Sequence, residues 1–513
     1  MTTLDSLGGG ALTLHPLRVP ELARIICNFL DEEDRTSLLY LSRRIYATTL
    51  PIIWEDVEMQ SLFFLIAGTT IKKEAPYNSK YFRYVFNFPA TRDLTRFGIH
   101  APLVKVLRAL YPYVINFPGE WPGSGLDTTT TPLLPNLQSL LVHTFSSPET
   151  VEVDWIPRLW HPNLHGFEIS SVEGEYYPCL DQDTYLDLIN HISRICPRIA
   201  HLRLFLQHIS RSDEIDCAKL YHPIASLRHL RSLTFTGTMV HELLFNILSQ
   251  LPHLDTLFLC SDELEEGEHN QSPLVVPDDS FSSLRHLHLW GLNESAMSQV
   301  CKVAPLFHHL ITVTIYFKDR YDGEVNERSR IAVTSLGRNS PHLRNFTIVP
   351  RETIGWFVVS WSILDRFKHM PLRSLKLAEL RVDVIADREE ADRVIYNQNN
   401  CRKPSWSDFL ASVPQLEELE LERQRLKPRH FALFALHLPK LRQLTFKRIH
   451  LDTAKTRNRT NHSITNTAQP IILRGRSFLE ETLTDVYSEQ TIHNAARFVV
   501  CLISYKIRRL NDE

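Results

Sequence analysis

One spacing recurs eleven times in this chain: an apolar residue at positions 1, 4 and 6 of a short segment, often preceded by Pro-x. It reads Leu137-Leu140-Val142, Leu164-Phe167-Ile169, Ile199-Leu202-Leu204, Leu230-Leu233-Phe235, Leu254-Leu257-Leu259 and Leu284-Leu287-Leu289. It continues as Leu310-Val313-Ile315, Leu343-Phe346-Ile348, Leu372-Leu375-Leu377, Leu416-Leu419-Leu421 and Leu441-Leu444-Phe446. In an extended segment, positions 4 and 6 point to the same side. The spacing therefore predicts short strands, stacked in parallel, with one face buried. A repeat array also accommodates 513 residues, since such arrays lengthen without enlarging their core.

The intervening segments carry helical periodicity. Glu242 to Leu248 and Trp406 to Leu410 place apolar residues near 3.6 spacing, and Asp183 to Ile195 puts Leu186, Ile189 and Ile192 on one stripe. Pro-x-Leu after many of these segments suits a helix stop followed by extended chain. The mean step of about 30 residues is close to the roughly 20–29 of leucine-rich repeats. Over about 310 residues the chain resembles that family, specifically its long, irregular α/β horseshoes. It departs from the family pattern where Asn or Cys is usual. Phe145, Gln207, Asp262, Leu292, Arg351 and Ile449 stand there, so the resemblance does not imply regular curvature.

Residues 14–58 have a different character. Pro20 suits the first turn of a helix, and Leu22, Ile25, Ile26, Phe29 and Leu30 follow as an amphipathic stripe. Asp31 to Asp34 interrupt it. Asp34 is expected to cap a second helix carrying Leu38, Leu39 and Leu41, and Pro51 to open a third piece with Ile52, Ile53 and Trp54. Val19-Pro20-Glu21-Leu22, Ile25-Ile26, Phe29-Leu30-Asp31, Asp34, Leu38-Leu39, Ser42-Arg43 and Trp54 resemble the F-box motif. The departures are Arg35, and Leu41-Ser-Arg-Arg-Ile-Tyr46 where the family has Val-Cys-Arg-x-Trp. F-boxes followed by leucine-rich repeats are a known architecture. The resemblance implies a Skp-type adaptor and a cullin scaffold as partners, with Pro20, Leu22, Ile25, Ile26, Leu30 and Leu41 as adaptor contacts. A segment of this size also buries too little surface to stand alone. Read without the resemblance, it is a helical cap on the repeats.

The expected fold class is thus α/β: an irregular leucine-rich-repeat solenoid (horseshoe) with an N-terminal three-helix F-box and a C-terminal helical cap. The expected divisions are a tail at 1–13, the F-box at 14–58 and a connecting segment at 59–132. Repeats follow at 133–451 with an insertion at 381–403, then a loop at 452–475 and the cap at 476–513. Within the connecting segment, which could hold degenerate repeats, Tyr81 to Phe88 reads as a strand and Leu103 to Leu110 as a helix. Ser488 to Leu510 reads as the capping helix.

The sequence offers little chemistry. It contains no G-x-S-x-G, H-E-x-x-H, Walker loop or G-x-G-x-x-G. Its eight cysteines include no CxxC pair, which argues for reduced, buried thiols in a cytoplasmic or nuclear protein. His286 and His288 lie at i and i+2, but no third ligand accompanies them, so no metal or cofactor is expected. The N-terminus lacks the pattern of a signal peptide and no apolar run spans a bilayer. A net charge of −3 does not favour nucleic acid or membrane partners. No enzymatic activity is expected.

What remains is binding. Residues flanking positions 4 and 6 should line the concave face, the usual contact surface of a solenoid. These include Phe205, Phe258, His286, His288, Trp290 and Tyr316, of which Phe205, Trp290 and Tyr316 occupy one strand position in different repeats. Exposed aromatics anchor protein contacts well, although such rings can equally pack on one another. Glu418, Glu420 and Glu422 add an acidic strip that reads most simply as solvated. The expected function is substrate recognition for a cullin–RING ubiquitin ligase, with an unknown protein target on the concave face. The alternative is a non-degradative scaffold or regulatory protein using the same two surfaces.

Overall fold

The computed structural model describes residues 16–74, 83–89, 93–110, 113–116, 132–144, 153, 155–171, 179–206, 217–236, 242–260, 274, 276–317, 322–350, 357–359, 366–377, 380–382, 406–426, 433–434, 436–449 and 472–475. They fall into two units: Met1–Gln207 with Ser226–Leu230, and His208–Ala225 with Arg231–Glu513. The expected tail at 1–13 and cap at 476–513 lie outside the described residues, as do Phe145, Gln207 and Asp262.

The first unit begins with helices α1 (Pro20–Phe29), α2 (Glu32–Leu38) and α3 (Arg43–Ile53). Leu17, Ala23 and Ile45 form their small core, with Ile26, Leu38 and Ile52 packed against it. Pro20 opens α1, where its missing N–H costs no helical hydrogen bond. Two caps differ from expectation. Asp31, not Asp34, caps α2, its Oδ1 accepting from the Asp34 amide at 2.9 Å. Ser42 caps α3, which runs continuously through Pro51. The helix starts one turn earlier because Asp31 reaches the orphan amide three residues on, as an N-cap must.

The same unit then builds parallel strands β1 (Asp56–Glu58), β2 (Val106–Ala109), β3 (Ser139–Thr144), β4 (Gly166–Ser171) and β5 (His201–Arg203). The register aligns Val57, Leu107, Leu140, Phe167 and Leu202 in one buried row. Helix α4 (Gln182–Ile195) precedes β5, capped by Asp181. A smaller sheet pairs Thr70–Glu74 antiparallel with Arg83–Asn87, and the latter parallel with Tyr113–Asn116. Leu103 to Leu110 is therefore not a helix. Val104, Leu107 and Ala109 carry the 1-4-6 spacing, and pairing on both sides outweighs local helix propensity there. Trp54, Val57 and Met59 repeat the same spacing. The repeat ladder thus starts inside residues 14–58.

The second unit carries the longer ladder: β6 (Ser232–Thr236), β7 (Thr256–Cys260), β8 (His286–Trp290), β9 (Thr312–Phe317), β10 (Asn345–Pro350), β11 (Ser374–Leu377), β12 (Glu418–Leu426), β13 (Gln443–Ile449) and β14 (Ile472–Gly475). All nine are parallel neighbours in chain order. Position 4 again forms one row, from Leu233 through Leu257, Leu287, Val313, Phe346, Leu375 and Leu419 to Leu444 and Leu473. Helices α5 (Cys217–Ala225), α6 (Glu242–Ser249), α7 (Glu294–Lys302), α8 (Asp322–Asn339) and α9 (Trp406–Ser412) punctuate the strands. The loop expected at 452–475 ends in β14, where Leu473 pairs beside Leu444 because the ladder extends past its last leucine-rich copy.

Two local devices repeat. The position-1 amide closes a turn onto the carbonyl three residues earlier, as in Leu254 to Leu251 and Leu310 to Phe307. One carbonyl then accepts two successive amides of the next strand. Asp255 O takes Arg285 N at 2.8 Å and His286 N at 2.9 Å, and Arg373 O takes Glu417 N and Glu418 N. The Pro-x-Leu step thereby leaves its backbone polar groups satisfied while turning the chain into the ladder.

Candidate functional site: two open surfaces

The first surface belongs to α1–α3. On α1, Ala23 and Cys27 face inward and are buried. Leu22, Ile25 and Phe29 face the other way and are 44%, 53% and 87% exposed. Tyr40, Leu41 and Tyr46 add to the open apolar area. Pro20 is exposed at the start of α1 and Leu30 is half-buried at its end. Ile26 does not belong with them. It packs against the Leu17–Ala23–Ile45 core, because i+3 from Ala23 returns to the inward stripe. Phe29, Tyr40 and Tyr46 were not among the expected contacts. Phe29 was legible in the stripe, but which side of it faced solvent was not.

The second surface is the outward face of the second unit's sheet. Strand alternation sends Leu257, Leu287, Leu289, Val313 and Ile315 inward, and leaves Phe258, His286, His288, Trp290 and Tyr316 half-buried on the other side. Register brings Phe258 beside His288, and Trp290 beside Tyr316. Their rings form one cluster. Trp290 and Tyr316 lie 4.4 Å apart between centroids, Phe258 stacks on His288 at 5.2 Å, and Phe258 reaches Trp290 at 6.2 Å and Tyr316 at 6.3 Å. Thr314 is buried. His288 Nδ1 is buried with no hydrogen-bond partner among the described residues. Burial, aided by the neighbouring His286, holds the His288 imidazole below the ordinary histidine range, and burial raises the Tyr316 phenol. Both rings are neutral near pH 7.

Phe205 is not part of this cluster, contrary to expectation. It is fully buried. The β5 strand ends at Arg203, and Phe205 pairs instead with Cys179 in a short second ladder. Its ring lies beneath the Arg203 guanidinium, 5.4 Å from the ring centre. The outward face of the first unit carries two ion pairs. Arg108 grips Asp56 with two 2.7 Å hydrogen bonds, and Arg203 donates to Glu168 at 2.8 Å.

Further along the second unit the outward row becomes polar. Thr347, Lys376 and Glu420 stand in register, and Lys376 Nζ lies 3.8 Å from Glu418 and 4.0 Å from Glu420. Glu418 also accepts from the Ser374 hydroxyl at 3.0 Å. The Glu422 side chain lies outside the described residues. His286 Nε2 lies 3.8 Å from an Asp255 carboxylate oxygen. Among the described residues no cluster of three or more His, Cys, Asp or Glu is arranged to hold a metal ion, and no helix is long and apolar enough to cross a membrane.

No protein-family model matches the chain, and no curated protein matches it. Solved structures do. One is the crystal structure of a TLR13-ssRNA13 complex, 15% identical with a TM-score of 0.30, aligned over 69% of this chain and 58% of that one. The present chain thus spans under two thirds of that protein's chain, and nothing about ligand or partner is carried across from it. The class is defined by the molecule's own regularity: an α/β repeat protein whose parallel strands stack on a row of position-4 side chains.

Proposed function

We propose that this chain is the substrate-recognition subunit of a cullin–RING ubiquitin ligase, acting in the cytoplasm or nucleus. In this reading α1–α3 are an F-box that docks a Skp-type adaptor, and the outward sheet face holds a protein target. The observation that carries it is the two-sidedness of the helical segment. Its own core is closed by Leu17, Ala23 and Ile45, yet Leu22, Ile25, Phe29 and Leu41 remain open to solvent. Apolar surface left out on a segment this small is a docking surface in waiting. The repeats need no catalytic group for this role. Holding a target beside a charged conjugating enzyme raises the effective concentration of its lysines.

Co-expression with a Skp-type adaptor and cullin tests the reading. The full chain should co-purify with both, and Leu22→Asp with Ile25→Asp should abolish this while leaving the thermal transition of the repeats unchanged. Failure of the unaltered chain to bind the adaptor, or retained binding by the double variant, rejects the F-box reading. The half-life of captured targets after depletion then separates a degradative receptor from a scaffold.

A further inference from the structure

We propose that the end of the second unit at which its strands begin binds an acidic segment of a partner protein, with carboxylates held by the row Arg285, Arg344 and Arg373 and by Lys302 and Arg338 beside it. This rests on the receptor reading only in taking the partner to be a protein.

The ladder itself builds the row. Each strand is entered through a residue whose carbonyl accepts the amide of its counterpart in the next repeat. Arg285 O takes Ile311 N at 2.8 Å, Ile311 O takes Arg344 N at 2.9 Å, and Arg344 O takes Arg373 N at 2.7 Å. Three arginines therefore stand within three strand steps, about 14 Å at ~4.8 Å each. Lys302 ends α7 and Arg338 lies in the last turn of α8, and both helices lead into this same row. Lys302, Arg338, Arg344 and Arg373 are exposed.

The positive charge of this row is not cancelled by its neighbours. Residues 301–311 and 338–344, which lead into adjacent strands, contain no Asp or Glu. Lys302, Arg338 and Arg344 make no ion pair or side-chain hydrogen bond with any described residue. Arg285 spends Nη1 on the carbonyls of Ser282 and Leu284, which leaves its charge unmatched. The carboxylates of the row are Asp255 and Glu417, one rung outside it on either side. Glu417 is shared between Arg373 at 3.5 Å and Arg442 at 3.7 Å. Asp278 and Asp279 precede Arg285 but pair with no described cation. The carbonyl ends of α7 and α8 offset part of the charge of Lys302 and Arg338, whereas Arg344 lies in no helix. The His309 imidazole among them is held below the ordinary histidine range, by burial first and then by Arg285, His308 and His342. Like charges held this close repel one another, and an anionic ligand relieves that repulsion.

The chemistry favours a polypeptide over a nucleic acid. Single strands are held by aromatic faces set beside cations, but Phe281, Phe307 and Phe367 at this end are all buried. Carboxylates need only the forked donors of arginine. In an extended segment, alternate side chains share one side about 6.6 Å apart. That lies between one strand step and two, within reach of these long side chains.

The test uses the full-length protein and a fluorescein-labelled peptide of about eight residues alternating glutamate and serine, ~26 Å when extended. Fluorescence anisotropy at low salt compares it with the same peptide carrying glutamine, which keeps the shape and removes the charge, and with a short oligothymidine. The glutamate peptide should bind about tenfold more tightly than the glutamine one, and added salt should weaken it. Arg338→Glu and Arg344→Glu should each weaken it about fivefold with the thermal transition unchanged, since neither side chain has a partner to lose. Lys72→Glu makes the same charge change on an exposed side chain of the first unit, and should leave binding within about twofold. Absent binding of the glutamate peptide, equal binding of the glutamine peptide, tighter binding of oligothymidine, indifference to both arginine reversals, or an equal loss with Lys72→Glu overturns the inference. Adaptor binding by the same preparations is read separately, so loss of the receptor reading is told apart from loss of this one.

Discussion

Arg24 Nη2 on α1 lies 2.8 Å from Glu55 Oε2, while Lys105 Nζ, at the root of β2, reaches Glu55 Oε1 at 3.0 Å. One carboxylate thus ties the helical segment to the first two strands. The Glu55 carbonyl adds to this, accepting the Lys105 and Val106 amides at 2.9 and 2.8 Å. The anchor is local and electrostatic.

Its pH dependence follows. Burial alone would raise the Glu55 carboxyl, but hydrogen bonds and charge from Lys105 and Arg24 outweigh it and hold the group below the usual glutamate range. A depressed folded value stabilises the fold above the unfolded value, and this contribution is lost as pH falls through the folded one. Glu55→Gln should lower stability by up to about 1 kcal/mol at pH 7, given how exposed Arg24 is. Thermal melts of both forms should converge between pH 5 and 3, and a gap that persists at acid pH contradicts the assignment.

The position-4 row predicts a second contrast. Leu287 is fully buried between Leu257 and Val313, whereas Tyr316, three positions beyond Val313 on its strand, is half-exposed on the opposite side. Leu287→Ala should cost about 2–5 kcal/mol, the range for emptying a buried leucine site. Tyr316→Leu should cost about 1 kcal/mol or less, since most of its apolar contact survives. Urea unfolding measures both. A larger loss at Tyr316 would mean that the ring belongs to the core.

The cap of α3 can be probed alone. Ser42 Oγ accepts the Ile45 amide at 3.2 Å. Ser42→Ala should destabilise α3 by about 1 kcal/mol. Because α3 has few buried neighbours, the effect should appear as faster amide exchange in 43–53, with strands β6 to β13 unchanged.

Thiol reactivity reports the two units separately. Burial pushes the thiols of Cys196, in the first unit, and Cys301, in the second, up to about 12. The Cys27 thiol on α1 is raised too, by burial that outweighs the attraction of Arg35. At pH 8 all three should resist alkylation in the native state. Mapped by mass spectrometry under rising urea, Cys27 should label first, because its small helical core opens before the strand ladders. Simultaneous labelling would show that the helices and strands unfold as one.

The ladder is written in the sequence. All eleven 1-4-6 copies place position 4 on a strand of the ladder, because a two-residue alternation with an apolar anchor needs no distant information to be recognised. The amphipathic stripe of α1 was legible for the same reason. What tertiary structure decided was which side of each element met a neighbour. Val106 to Ala109 became a strand only because β1 and β3 flank it, and Ile472 to Gly475 joined the ladder only because β13 offered its edge. Ile26 turned inward while Ile25, one residue away, stayed open. Phe205 shares its spacing with Trp290 and Tyr316, yet a strand that stops two residues early buries its ring, and spacing alone cannot report where pairing ends.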